Sequence, residues 1–208
     1  MTMRNFSARA LGLTIVACLI STGVQAADAK PQMIRVRGTI ETVSDTTLTV
    51  RTREGAEQAI MLKPGWKVSG VKKAMVDDIK PGDYVGIASL KKADGGDGAL
   101  EVLIFPAAMK GTGEGSYAWD LKPNSSMTNA TVADAVKSVE GRTVTVKFQG
   151  REKKIAIPDE TPIVTFAEAT KDDLKMGATV FVPSEKAADG TVSTARVVVG
   201  TNGVVPPM

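Results

Sequence analysis

The chain has 208 residues, 26 of them basic and 23 acidic, for a formal charge of +3. It contains no histidine and one cysteine, Cys18, which excludes the usual zinc and copper donor sets and every Ser-His or Cys-His nucleophile. Without the two arginines of the N-terminal stretch the balance is 24 (26 − 2) against 23, or +1, too close to neutral for the electrostatic footprint of a nucleic-acid binder.

The first residues read as an export signal. Arg4 and Arg9 precede the apolar run Ala10 to Ile20, and Val24-Gln25-Ala26 offers the small residues of a cleavage site. The expectation is a signal peptide over 1–26 and a bacterial periplasmic or secreted protein. Ile15-Val16-Ala17-Cys18 has the form of a lipobox, but Leu19 and Ile20 continue the apolar run, so a lipid anchor at Cys18 is not expected. No later segment has the ~20 continuous apolar residues of a transmembrane helix.

Beyond the leader the chain reads as two copies of one β unit. Val36, Ile40, Val43, Leu48 and Val50 are matched by Val132, Val136, Val139, Val144 and Val146 at an offset of 96 (132 − 36). Asp77-Asp78-Ile79-Lys80, Gly82 and Val85 are matched by Asp172-Asp173-Leu174-Lys175, Gly177 and Val180 at 95 (172 − 77). Such self-similarity sets the architecture before any other reading. In the first copy, Ile34 to Val43 alternates apolar and polar residues, as a half-buried strand does. Ser44-Asp45-Thr46 and Arg53-Glu54-Gly55 break the pattern as turns, with strands at Thr47 to Thr52 and Gln58 to Leu62. The second copy repeats this meander with turns at Glu140-Gly141-Arg142 and Gln149-Gly150-Arg151. The acidic pairs open a helical turn, where carboxylates meet free N–H groups. Pro81-Gly82 then makes a corner, and final strands at Leu100 to Phe105 and Arg196 to Val199 follow turns at Asp94-Gly95 and Asp189-Gly190.

The expected fold is all-β: two tandem small OB-like β-barrels, each of about five strands and one helical turn, with an open β-roll as the alternative. The expected boundaries are 33–105 and 129–201 for the two domains, 106–128 for an ordered connector and 202–208 for a C-terminal tail.

The pattern Val36-Arg37-Gly38-Thr39-Ile40, Leu48-Thr49-Val50, Ile79 to Val85 and Ala99 to Val102 resembles a bacterial family of exported tandem β-repeat, OB-like domains of unknown function. Lys110 to Gly115, Trp119 to Leu121 and Met127 to Val132 are similar to the connecting stretch of its two-copy members. The resemblance covers most of the chain past the leader and implies fold and location, with no activity. Members carry a histidine after Gly-Glu-Gly where this chain has Ser116, so a metal role resting on it does not carry over.

Candidate chemistry concentrates in the connector. Gly111-Thr112-Gly113-Glu114-Gly115 is G-x-G-x-G with no following helix, unlike a dinucleotide-binding loop. A plain linker would lack Tyr117 and Trp119. These two, with Glu114 and Asp120, are the candidate ligand-binding residues, although packing alone would also account for Trp119. Glu114 and Asp120 are also the carboxylate pair of the alternative reading, a small periplasmic hydrolase acting on glycans. Asp94-Gly95-Gly96-Asp97-Gly98 with Glu101 lacks EF-hand spacing and reads as a hairpin turn. Asn124-Ser125-Ser126 and Asn129-Ala130-Thr131 match glycosylation sequons, which matter only in a eukaryotic secretory route. No cofactor and no metal is expected. The functional expectation is a non-catalytic binding or structural module of the periplasm or cell envelope, with an envelope ligand or protein as partner.

Overall fold

The computed structural model describes Thr2 and residues 30–93, 95–138 and 141–206. Residues 3–29 with Cys18, and Met1, Asp94, Val139, Glu140, Pro207 and Met208, lie outside the described residues.

Among these residues the protein is all-β, with 3₁₀ turns as its only helical elements. The first half contributes β1 (Gln32–Val43), β2 (Thr47–Thr52), β3 (Glu57–Lys73), β4 (Tyr84–Lys91) and β5 (Asp97–Phe105). The connector holds β6 (Gly115–Ala118). The second half contributes β7 (Ser126–Ser138), β8 (Gly141–Phe148), β9 (Arg151–Ile157), β10 (Ile163–Ala167), β11 (Thr179–Lys186) and β12 (Val192–Gly200). No helix among the described residues is long and apolar enough to cross a membrane.

The strands close in an order that sequence alternation does not foretell. β1, β2 and β3 form the expected meander, but the hairpin that completes their barrel is β11–β12. β11 pairs antiparallel with β1, and β12 pairs parallel with β3, which closes a five-stranded barrel. The first half's own hairpin, β4–β5, joins β7, β8 and β9 instead. β9 returns to β5 only at Asp97↔Ile155 and Gly98↔Ala156, giving a second ring of strands. Closure of each copy upon itself, as expected for 33–105 and 129–201, is therefore not what the strand pairings show. The crossing occurs where the end of β3 runs antiparallel to β10.

Side-chain volume at equivalent hairpin positions gives a reason. Gly86 on β4 lies opposite Asn129, and Phe181 on β11 lies opposite Arg37. A Cβ at Gly86 would sit 2.8 Å from Asn129 Oδ1 and 3.1 Å from the Phe105 ring. A phenylalanine does not fit there, whereas beside Arg37 the Phe181 ring lies under the guanidinium at 5.2 Å. Gly200 has the matching role in β12, since a Cβ there would meet the Val204 carbonyl at 1.5 Å.

Strand register also corrects the internal alignment. Val50 lies opposite Ile40, but Val146 lies opposite Val132, so the offset along the first strand is 92 (132 − 40), not 96. The β7–β8 hairpin continues through Val136↔Thr143, Lys137↔Arg142 and Ser138↔Gly141, whereas β1–β2 ends at Val43↔Leu48. Val136, aligned by sequence with the buried Ile40, is 56% exposed.

Three apolar clusters hold the fold. Ile40, Leu48, Val50 and Ile60 fill the barrel together with Val182 and Val197 from the second half. Val132, Val144, Val146 and Ile155 fill the second ring with Ile79, Val85, Ile87 and Val102 from the first. Val71, Leu103, Val164, Phe181 and Val198 pack where the halves meet. The acidic pairs sit in 3₁₀ turns as read: Asp78 accepts from the Met75 N–H and Asp173 from the Thr170 N–H, both at 2.8 Å. Asp77 pairs with Arg142. Asp97 is buried beside Lys153, 3.3 Å away, and Lys153 Nζ also lies 3.2 Å from Ser126 Oγ.

Candidate functional site

The connector is ordered by its own hydrogen bonds. The Trp119 N–H donates to the Ser125 carbonyl at 2.8 Å, and the Lys122 N–H to Ser125 Oγ at 3.1 Å. β6 pairs with β7, placing Tyr117 opposite Met127. This arrangement carries Tyr117 and Trp119 over a cleft of about 290 Å³ between the two rings. Met33 and Arg35 of β1 and Phe181 and Pro183 of β11 form one wall; Leu103 and Phe105 of β5 form another. Arg196 of β12 and the buried Glu101 of β5 add charge beside Arg35 to a mostly apolar lining that also holds Thr112 and Asn129.

Trp119 is held by cations and an aromatic edge. The Arg35 guanidinium lies 3.8 Å from its ring centroid and that of Arg37 5.7 Å. The Tyr117 ring meets it edge-on at 6.0 Å. Cation–π contacts of this kind contribute about 0.5–2 kcal/mol each, more as they lose water. The Trp119 indole N–H is buried without a hydrogen-bond partner among the described residues. Arg196 likewise has no ion pair for its guanidinium among them.

Of the four residues singled out by sequence, Tyr117 and Trp119 line the cleft and the two carboxylates do not. Asp120 bonds Arg37 at 2.7 Å and Arg35 at 3.5 Å. Burial alone would raise its pKa, but the Arg37 hydrogen bond and the charges of Arg37 and Arg35 outweigh it, holding the carboxyl below its ordinary range. Glu114 Oε1 accepts the Gln149 N–H at 2.7 Å, and Gln149 Nε2 returns a bond to the Glu114 carbonyl at 3.1 Å. Glu114 thus ties the connector to the β8–β9 turn, where Gln149 has φ of 48°.

Arg35, Phe181 and Arg196 were missed because each reads as an ordinary strand residue, and Glu101 was weighed only beside the calcium-like stretch. Only the crossing of the hairpins brings them together. Asn129 is buried, its side chain donating to Tyr117 Oη at 3.1 Å and to the Thr112 carbonyl at 3.3 Å. Asp97, the second acid of the calcium-like stretch, faces Lys153 and Lys91. No group of three or more His, Cys, Asp or Glu residues suited to a metal occurs among the described residues.

Tyr84 fastens the connector from below. Its hydroxyl donates to the Thr112 carbonyl at 3.1 Å. Burial pushes its pKa up to about 12, helped by the charges of Glu114 and Tyr117. A raised folded-state value means that the contribution is intact below the unfolded pKa of about 10 and is lost as pH rises through about 12. Tyr84→Phe should cost about 1 kcal/mol at pH 8 and flatten the alkaline loss of stability. Urea unfolding of both proteins at pH 8 and pH 11 checks both effects.

Comparison with family models, with curated proteins and with solved structures finds no match to this chain.

Proposed function

We propose that this protein is a non-catalytic binding module of the bacterial cell envelope, acting after export. In this reading the cleft between the rings is its ligand site. The two rings are read as OB-like barrels, each a three-stranded meander completed by the other half's hairpin. One observation carries the reading: Tyr117 and Trp119 close over a cleft to which both halves contribute walls, while the Trp119 indole N–H and the Arg196 guanidinium remain unengaged among the described residues. Ligand sites combine an apolar lining with a few convergent polar groups. A ligand with a flat apolar body and an acceptor or anionic group fits these walls. The exported location rests on the leader pattern of residues 1–26.

The rival reading, a glycan hydrolase using Glu114 and Asp120, draws no support from their surroundings. A general acid needs a raised pKa, whereas Asp120 is held down by two arginines and Glu114 is bound to a turn.

Thermal-shift titrations of residues 27–208 against peptidoglycan fragments, oligosaccharides and aromatic carboxylates test the proposal. A saturable rise in Tm is expected with one class, since binding to the native state raises stability by mass action. Trp119→Ala should weaken that ligand by about tenfold or more, as loss of a buried aromatic anchor does. Unchanged affinity in a folded Trp119→Ala protein would remove the cleft from consideration.

A further inference from the structure

The second ring is a continuous piece of chain, and the barrel is not. β4 to β9, with all pairings of the ring, run from Tyr84 to Ile157. The barrel takes β1 to β3 from before that stretch and β11 and β12 from after it. The chain leaves the barrel and returns to it at one place. Lys73 lies opposite Val164, and the Ala74 N–H donates to the Ile163 carbonyl at 2.9 Å. Ends this close let a segment be inserted without disturbing the fold around it.

The apolar cores divide at the same two residues. Every member of the cluster that fills the second ring lies between Ala74 and Ile163 inclusive, and no member of the cluster that fills the barrel does. Those clusters hold 14 and 13 buried residues, whereas the cluster at the boundary holds five, of which only Leu103 comes from the ring. Charge divides likewise. Of the ion pairs between described residues, those of Asp120 with Arg37 and Arg35 join the two parts. Lys63 with Glu185 stays within the barrel, and Arg142 with Asp77 and Lys153 with Asp97 stay within the ring. β10 adds a short parallel pairing of Ile163 to Thr165 with Val102 to Ile104. Parts with their own cores and few ties between them open separately, as cooperative units.

We propose that residues 74–163 are a module inserted into the barrel, and that module and barrel open as separate cooperative units, which gates the cleft between them. The module supplies Leu103, Phe105, Tyr117 and Trp119 to the cleft, and the barrel supplies Arg35, Phe181 and Arg196. Opening of the module withdraws the first wall while the second stays in place. Asp120 latches the gate through Arg37 at 2.7 Å, and Arg35 stacks on Trp119 at 3.8 Å. The gate rests on the ligand-site reading above; the division into two units stands without it.

Native-state hydrogen exchange of the whole chain, followed by NMR across a urea series below the unfolding transition, tests this. Amides of β4, β5 and β7 to β9 should converge on one opening free energy, and those of β1 to β3, β11 and β12 on another. The Trp119 amide, bonded to the Ser125 carbonyl, should follow the module. Val146→Ala and Val50→Ala thin the two cores at matching places, both 0% exposed. Val146→Ala should speed exchange of the module's amides by about tenfold or more and that of the barrel's by less than about twofold. Val50→Ala should do the reverse. One opening free energy for both sets, or a division at the connector into residues 30–110 and 111–206, overturns the proposal, and the wild-type series alone shows either. A Trp119 amide that exchanges with the barrel, or without protection, overturns the gate. None of these readouts requires a bound ligand, so a cleft that binds nothing leaves them intact.

Discussion

Cut between Lys110 and Gly111, the protein should yield two fragments that do not fold alone and that regain the native fold when mixed. Each ring is filled from both halves. The barrel core takes Leu174, Val180, Val182, Val192, Val197 and Val199 from the second half, and the other ring takes Ile79, Val85, Ile87 and Val102 from the first. At about 1.5–3 kcal/mol for each buried aliphatic side chain, separation removes on the order of 10 kcal/mol per ring. That is as large as the whole net stability of a typical domain, about 5–15 kcal/mol. Circular dichroism melts and NMR dispersion of residues 30–110, of residues 111–206 and of their mixture decide the matter. A cooperatively folded monomer from residues 30–110 alone would show that the first hairpin closes on its own meander and would sink the crossed arrangement. The Gly86 and Phe181 pairings argue against that closure, because it would set Gly86 beside Arg37 and leave the space of the Phe181 ring empty.

The second large effect lies at Asp97. Its side chain is 6% exposed and that of Lys153 16% exposed, with 3.3 Å between the charged atoms. Ser89, Ser126 and Thr128 complete the surroundings of Lys153 Nζ at 3.2–3.4 Å. Lys91 also reaches Asp97, but is 81% exposed and contributes little. Asp97→Val strands the Lys153 charge in the end of the ring. Breaking a buried pair from one side costs about 3–5 kcal/mol, a Tm loss on the order of 10 °C for a chain of this size. The barrel shows how the same place is filled without charge. Gln58 occupies the position of Lys153, opposite Val50 as Lys153 is opposite Val146. Val192 occupies the position of Asp97, opposite Lys186 as Asp97 is opposite Lys91. The double variant Asp97→Val, Lys153→Gln should therefore recover most of the loss, since an uncharged replacement of a buried pair is often close to neutral. A double-mutant cycle by urea unfolding measures the coupling; additive effects would mean that the pair does not act as a unit.

Much of the secondary structure was legible in the sequence because alternation and turn residues are local signals. Ile34 to Val43, Thr47 to Thr52 and the two acidic turns fall where the pattern places them. Register was less legible for a definite reason. Side chains alternate with period two, so a slip of four residues leaves every apolar residue on its face. Val132 and Val136 both satisfy the pattern, and only the longer β7–β8 hairpin separates the buried one from the exposed one. The crossing of the hairpins left a fainter trace. Gly86 with Phe105 in one half, against Phe181 with Gly200 in the other, is an exchange of large and small residues that needs the fold before it can be interpreted.

The site divided in the same way. Tyr117 and Trp119 stood out as aromatics in a glycine-rich stretch, and both reach the cleft. Glu114 and Asp120 stood out as acids, yet their partners Gln149 and Arg37 lie in other elements and draw them elsewhere. Arg35 could not be told from a solvated strand residue until Trp119 was found beneath it.

The pairing of β1 with β11 sets when the molecule can form as well as how. Val36 lies opposite Val182, 146 positions later in the chain (182 − 36). Neither ring can close until strands of the second half have been synthesised, so the first half must wait with its apolar strands unshielded. Contacts this distant place a protein among slow folders, with times of milliseconds to seconds or longer. Over that interval exposed strands invite aggregation, and a chaperone that holds the first 110 residues open would shorten the route to the native state.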